Sequence, residues 1–411
     1  MRSVDLEASP EAVRARFKWA LQQGNHVWLW PEISPHKWQA ALGEIARATG
    51  HVLAGNSGQV VVRGDPADFG IAAFTSGMGP LLGYWAEMGL LHAEPALLSL
   101  LKDHFAHNSE RMKRLEDHAR TAVDELSRAG IKVTVLKGMH TAYSYFPACG
   151  TRPLSDIDLL VDRTAEPVAN RVLRSLRYWS DPPTFGAQTW RLEGIPTEPP
   201  SLSLVHKDGP WSIDLHTSLN RKCSPGAPMI QLDRALRLRS ISRWPLSPHG
   251  EVLTGAYLLH HLACHASSGL VSLSLLRLTE LIFVIRKLEE RDGLSWTTFL
   301  ELAALTGSPG SSYPALQMAN MLAPGVVPEG VSEALRHMAP PTVKRVLASL
   351  TPATCQRILR CSLTERFMWT RSLSGWVREV RGSLFPTVSF GRLVWIYKLR
   401  VARLLNGSVT L

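Results

Sequence analysis

The sequence predicts an α+β fold: a small mixed sheet flanked by helices, with a helical C-terminal region behind it and a small α/β extension in front. Three observations predict it. Between residues 131 and 216, short β-branched runs alternate apolar and polar residues, as half-buried strands do. Before them Leu98, Leu101, Phe105, Met112, Leu115, Ala119, Val123 and Leu126 recur at helical spacing, which lays one buried stripe along a long helix. From about Glu251 onward the chain reads almost wholly as helix.

Taken in order, residues 1–75 read as the extension. Ser9-Pro10 is a cap followed by a proline at the first helical position, and it opens a helix that Gly24 ends. His26 to Trp30 is a short aromatic strand, Ser34-Pro35 opens a second helix closed by Gly50, and Gln59 to Val62 is another strand. Gly77-Met78-Gly79-Pro80 marks a boundary, so that residues 76–240 form the core and 241–411 the helical region. Within the core, Gly130 ends the long helix, and Ile131 to Leu136 is a strand running straight into Lys137-Gly138. Asp156 to Val161 is a strand and Pro167 to Leu176 an amphipathic helix. Leu202 to His206 pairs with Trp211 to Leu215 as a hairpin across Asp208-Gly209.

The bulk properties narrow the classes. With 45% apolar and 19% charged residues over 411 positions, the chain is too apolar for disorder and long enough for two or three folded regions. No run approaches the ~20 uninterrupted apolar residues of a membrane-spanning helix. The charged start MRSVDLEASPEAVRARF lacks the apolar core of a signal peptide. The five cysteines are scattered and never form a CxxC pair, which fits a reduced, cytoplasmic setting. The net charge of +10 belongs to the C-terminal region, where twelve Lys or Arg residues from Val343 onward face two acids, Glu365 and Glu379. An anionic partner is expected there, unless the region is simply a solvated basic face.

The chemistry lies in VTVLKGMHTAYSYFPACGTRPLSDIDLLVD and, about fifty residues later, WSIDLHTSL. Side chains alternate faces along a strand, so Asp156 and Asp158 share one face while Ile157, Leu159 and Val161 take the other. By the same rule Asp214 shares a face with Ser212 and His216. Carboxylates at the border of a core are costly unless something neutralises them, and a divalent metal is the natural neutraliser. Mg²⁺, or Mn²⁺ in its place, prefers carboxylate oxygens and completes its shell with water and substrate phosphates. In this reading Asp156 and Asp158 bind metal carrying a triphosphate, and Asp214 binds a second metal and serves an incoming hydroxyl. Lys137-Gly138 at a strand-to-helix junction offers close backbone approach and free amides to phosphate. Lys137 and Arg152 add positive charge there, and Ser155 is a further phosphate contact.

These residues carry a resemblance. Leu-Lys-Gly, then Arg-Pro-Leu-Ser-Asp-Ile-Asp-Leu-Leu-Val, then Ile-Asp-Leu-His is similar to the DNA polymerase β-type nucleotidyltransferase superfamily. In particular it resembles a bacterial family of uncharacterised nucleotidyltransferases found in some peptide natural-product gene clusters, and more distantly the AbiEii-type toxins. The likeness begins near Gly79-Pro80-Leu81-Leu82 and takes in the His-rich helix and the Arg277-Leu-Thr-Glu-Leu stretch. It implies a polymerase β-like core, Mg²⁺ dependence, and transfer of a nucleoside monophosphate from a nucleoside triphosphate such as ATP to a hydroxyl, releasing pyrophosphate. The acceptor it implies is a small molecule or peptide, with a tRNA end as the toxin-like alternative. A non-catalytic nucleotide-binding scaffold is the alternative from another class. The superfamily usually opens its site with Gly-Ser, where this chain has Lys137-Gly138.

Each signal has a plainer reading beside it. The paired acids of the Ser-Asp-Ile-Asp run also suit structural ion pairs with Arg152 or Arg163, and Lys137 suits a solvated lysine. His261 and His265 stand four apart on a helix, but no HExxH glutamate or cysteine pair accompanies them, so packing is the expected fate of His260, His261 and His265. His216 borders the nucleotide pocket, or else satisfies a buried backbone carbonyl. Most tryptophans, among them Trp28, Trp30 and Trp38, sit among apolar neighbours and are expected in the core.

Overall fold

In the computed structural model, residues 9–23, 29–30, 33–56, 58–180, 187–238, 240–270, 273–291, 293–307, 309–356, 365, 367–385, 393–394, 396–398 and 401 are described. Helices α1 (Pro10–Gln23) and α2 (Pro35–Leu53) come first. The Ser34 hydroxyl accepts from the Lys37 amide to cap α2. Contrary to expectation α2 runs past Gly50 to Leu53. A Cβ at Gly50 would stand 3.1 Å from the Leu322 carbonyl, so this glycine serves close packing and does not stop the helix. The strand expected at His26–Trp30 lies mostly outside the described residues. Strands β1 (Val60–Val61) and β2 (Leu91–His92) form a separate parallel pair around α3 (Pro66–Ser76) and α4 (Gly79–Glu87). Gly77, at φ 74°, makes the left-handed turn between those helices.

Then comes α5 (Pro95–Arg128), a helix of 34 residues with an apolar stripe along its length. It is followed by β3 (Val133–Val135), α6 (Lys137–Ser144), β4 (Asp156–Leu160), α7 (Glu166–Ser175), β5 (Tyr178–Ser180), β6 (Ala187–Leu192) and β7 (Ser212–His216). A small ribbon of β8 (Arg221–Lys222) and β9 (Met229–Ile230) precedes β10 (Ser240–Trp244) and β11 (Ser247–Thr254). The helical region holds α8 (Gly255–Ser268), α9 (Leu275–Arg291), α10 (Trp296–Leu305), α11 (Tyr313–Leu322), α12 (Glu329–Met338), α13 (Pro341–Ala348) and α14 (Leu373–Leu384).

The main sheet is mixed, with seven strands in the order β10-β11-β3-β4-β7-β6-β5. At its centre β4 and β7 run parallel, with Asp158 opposite Asp214. The hairpin expected across Asp208-Gly209 does not form. β7 pairs antiparallel with β6, Thr189 opposite Asp214, and residues 202–206 adopt no strand. Side chains hold that stretch in turns: the Ser201 hydroxyl accepts from the Ser203 and Leu204 amides. The buried Arg111 guanidinium donates to the carbonyls of Leu154, Gly209 and Pro210, taking groups a ladder would have used.

Two apolar clusters cover the two faces of the sheet. Ile157, Leu159, Val161, Ile213 and Leu215 face one cluster, together with the later half of α5 and with α7. The other cluster joins α2, α3, α4 and the start of α5 to α8, α9 and α11, and Leu160 of β4 packs against it. Trp30 and Trp38 are buried in that second cluster, as expected.

Several histidines are buried neutral in this scaffold. Burial pushes His104 down to about 3, and pushes His140 and His260 down to about 4. The unfolded chain takes up their protons near pH 6.5 while the native state refuses them, so stability is full above that pH and falls as acid is added. Urea unfolding between pH 7 and pH 4.5 is expected to show this loss, at about 1.4 kcal/mol per pH unit per histidine. In His140→Gln the slope should fall by about one proton; an unchanged slope would show that His140 is not among the groups responsible.

Candidate active site

The acids stand where strand alternation puts them. Asp156 and Asp158 leave the face of β4 opposite to Ile157 and Leu159, and Asp214 leaves the same face of β7. One carboxylate oxygen from each of the three lies within 4.8 Å of the others. Asp158, at 2% exposed, is the most buried. Burial alone would raise its pKa, but hydrogen bonds and charge from His216 and Lys137 outweigh that and hold it well below the usual carboxylate range. The Lys137 ammonium is 2.7 Å from Asp158 Oδ1 and His216 Nε2 is 2.8 Å from the same oxygen. Both contacts fall on Oδ1, which leaves Oδ2 for a cation. Asp156 is raised by burial and by the neighbouring Asp158. Oδ1 of Asp214 is buried with no hydrogen-bond partner among the described residues.

Lys137 sits in a strained backbone conformation, φ 25°, where a non-glycine residue is uncommon. The strain turns the chain from β3 into α6 and aims the ammonium back at Asp158. Gly138 allows close packing: a Cβ there would lie 2.6 Å from Leu154 Cδ2 and 2.9 Å from Arg152 Nη1, so both side-chain ends would have to shift. Arg152 itself is held from the far side. Its Nε and Nη2 donate to the two oxygens of Glu280 at 2.9 and 3.0 Å, and Thr141 donates to the same carboxylate. Neither Arg152 nor Arg163 pairs with the acids of β4; Lys137 and His216 do.

Beside the acids is a cavity of about 200 Å³. The sheet side contributes Lys137, Gly138, Arg152, Ser155, Asp156 and Asp158, and the helical side His265, Arg277 and Glu280. Six of the eight residues singled out in the sequence therefore share this cavity, while Asp214 and His216 stand behind Asp158 on β7. Ser155 donates weakly to Asp156, at 3.3 Å. The helical histidines form no candidate metal group among the described residues: His260 is hydrogen-bonded to Thr306, and both ring nitrogens of His261 are buried without a partner there. Sequence reasoning missed Glu280 and Arg277 as parts of the site. Their signal was an arginine and a glutamate three apart within the otherwise uncharged first half of the helix, so that both fall on one face.

Three oxygen donors, one of them buried and unpartnered, suit a hard divalent cation. The chain matches, over residues 65–324, a family described as uncharacterised nucleotidyltransferase, and the match holds both acid-bearing strands, α8 and α9. The chain belongs to that family. This nucleotidyltransferase is therefore a transferase enzyme, with a nucleotide as substrate. No curated protein and no solved structure matches the chain. Among the described residues no helix is long and apolar enough to cross a membrane.

The Arg152–Glu280 pair ties β4's approach loop to α9, with side chains only 11% and 6% exposed. Removing one member leaves the other charge buried and unpaired. Glu280→Ala is expected to cost about 3–5 kcal/mol in urea unfolding, and a loss below about 1 kcal/mol would mean the pair behaves like a surface one.

Proposed function

We propose that this nucleotidyltransferase moves a nucleoside monophosphate from a nucleoside triphosphate to an acceptor hydroxyl, with Asp156, Asp158 and Asp214 holding the divalent metal. The observation that carries the reading is the convergence of the three carboxylates beside a cavity also lined by Lys137, Arg152 and Arg277. Magnesium, or manganese, would polarise the phosphates and lower the pKa of a bound hydroxyl. The chain's own residues do the rest. Lys137 and the amides at the start of α6 bind phosphate oxygens, with Gly138 keeping the helix start close and Ser155 adding a hydroxyl. Arg152, fixed by Glu280, adds charge from a set position. Asp214 takes the proton of the acceptor hydroxyl as that hydroxyl's oxygen bonds to the α-phosphorus, the bond from the α-phosphorus to the bridging oxygen breaks, and pyrophosphate leaves. His216 holds Asp158 in place throughout.

The acceptor we propose is a small molecule or a peptide, in line with the family resemblance. A second reading, an RNA end, is favoured by the C-terminal surface. Arg371, Arg378 and Arg381 are exposed there, while Glu365 and Glu379 are buried, so the region presents positive charge to an anionic partner. In the sequence beyond it Leu393, Tyr397, Val401 and Leu404 form an apolar stripe at helical spacing with Arg392, Arg400 and Arg403 on another face, and half of residues 393–404 lie outside the described residues.

Calorimetry with ATP, GTP, CTP and UTP, with and without Mg²⁺, tests the central reading on the wild type and on Asp156→Ala and Asp214→Asn. Metal-dependent binding of at least one nucleotide is expected in the wild type, weakened at least about 100-fold in either variant, as for loss of a metal ligand. A well-folded wild type that binds none of the four with Mg²⁺ or Mn²⁺ would falsify the reading. Growth arrest on expression, relieved by the same changes, together with modified tRNA, would move the acceptor to RNA.

A further inference from the structure

Resting on the transferase reading, we infer that Arg277 of α9 is the residue that grips the outer phosphates of the nucleotide, and so the leaving pyrophosphate. Two of the cations that line the cavity are already committed. Lys137 is ion-paired to Asp158, and Arg152 is engaged on both oxygens of Glu280. Arg277 lines the same cavity, partly buried, and its guanidinium makes no hydrogen bond or ion pair among the described residues. Its main-chain amide is bonded to Ser274, so the backbone that carries it is fixed in the first turn of α9.

A guanidinium without a hydrogen-bonded partner at such a place is held against a cost, since burial makes its charge less favourable and the nearby Glu280, Asp156 and Asp158 offset this only in part, with Arg152 opposing it. A polyanion removes that cost. The planar fork meets two phosphate oxygens at once, which an ammonium cannot do. His265 lines the same cavity, and burial together with the charges of Arg221, Lys137 and Arg277 keeps it from becoming charged. A neutral imidazole can donate one hydrogen bond to phosphate without adding repulsion to the arginines. The arrangement also explains why the family match runs on through α8 and α9: the helical region supplies one wall of the site.

Binding of ATP, AMP and inorganic pyrophosphate with Mg²⁺, measured by calorimetry on the wild type, Arg277→Gln and Arg277→Lys, tests this. In Arg277→Gln, pyrophosphate and ATP should weaken about 10–100-fold, the worth of a charged hydrogen-bonding group, while AMP changes less than about twofold. Arg277→Lys keeps the charge but not the fork and should fall between; it stands in should the glutamine variant fail to fold. Wild-type affinity for pyrophosphate in a folded variant, beside a wild type that binds metal and nucleotide, overturns the role of Arg277 and leaves the transferase reading intact. A wild type that binds no pyrophosphate and none of the four nucleoside triphosphates overturns both.

Discussion

Three carboxylates held within 4.8 Å repel one another, and the rest of the site is arranged around that repulsion. Two like charges about 4 Å apart near a protein surface cost about 4 kcal/mol. Lys137 and His216 compensate one of the three, by donating to a single oxygen of Asp158. Asp156 carries the remaining strain as a raised pKa, and Asp214 as a buried oxygen without a partner. A divalent cation would relieve both at once, so the polypeptide alone leaves the cluster incompletely neutralised.

The fold makes this tolerable by separating the two faces of one sheet. Alternation along β4 and β7 sends Ile157, Leu159, Ile213 and Leu215 into one apolar cluster and the acids toward the helical region. The long helix α5 belongs to both clusters, with Leu97 and Leu101 in one and Met112 to Leu126 in the other, so the sheet and the helical region share a rigid strut. The Arg152–Glu280 pair then ties the loop before β4 to α9. Charges that a solvated loop would leave mobile are thereby fixed relative to the acids, which is the preorganisation that charge-stabilising sites need.

Much of this was legible in the sequence, for a local reason. Strand period places Asp156 with Asp158, and Asp214 with His216, whatever their neighbours turn out to be. The Lys137-Gly138 junction and the stripe of α5 are likewise local patterns, and both stand where expected. The hairpin across Asp208-Gly209 was misread because a good turn signal says nothing about which strand the next residues will pair with. Arg111 and Ser201 captured the backbone groups of that stretch, and β6 became the partner of β7. Gly50 was misread in the same way, since its use is contact with Leu322 from far along the chain.

By itself the sequence determined the family, the acids, their shared strand faces and the location of the positive charge, because each depends on residue type and short-range spacing. Tertiary structure alone decided that β4 and β7 lie side by side in parallel with Asp158 opposite Asp214, that Lys137 and His216 meet on one oxygen, and that Glu280 and Arg277 close the cavity. Most of those contacts join residues far apart in the chain, 58 positions for His216 with Asp158 and 139 for Thr141 with Glu280. The physical reason is range: periodicity fixes the direction of a side chain from its own strand or helix, whereas a charge finds its partner only when packing of the whole chain has brought the two elements together.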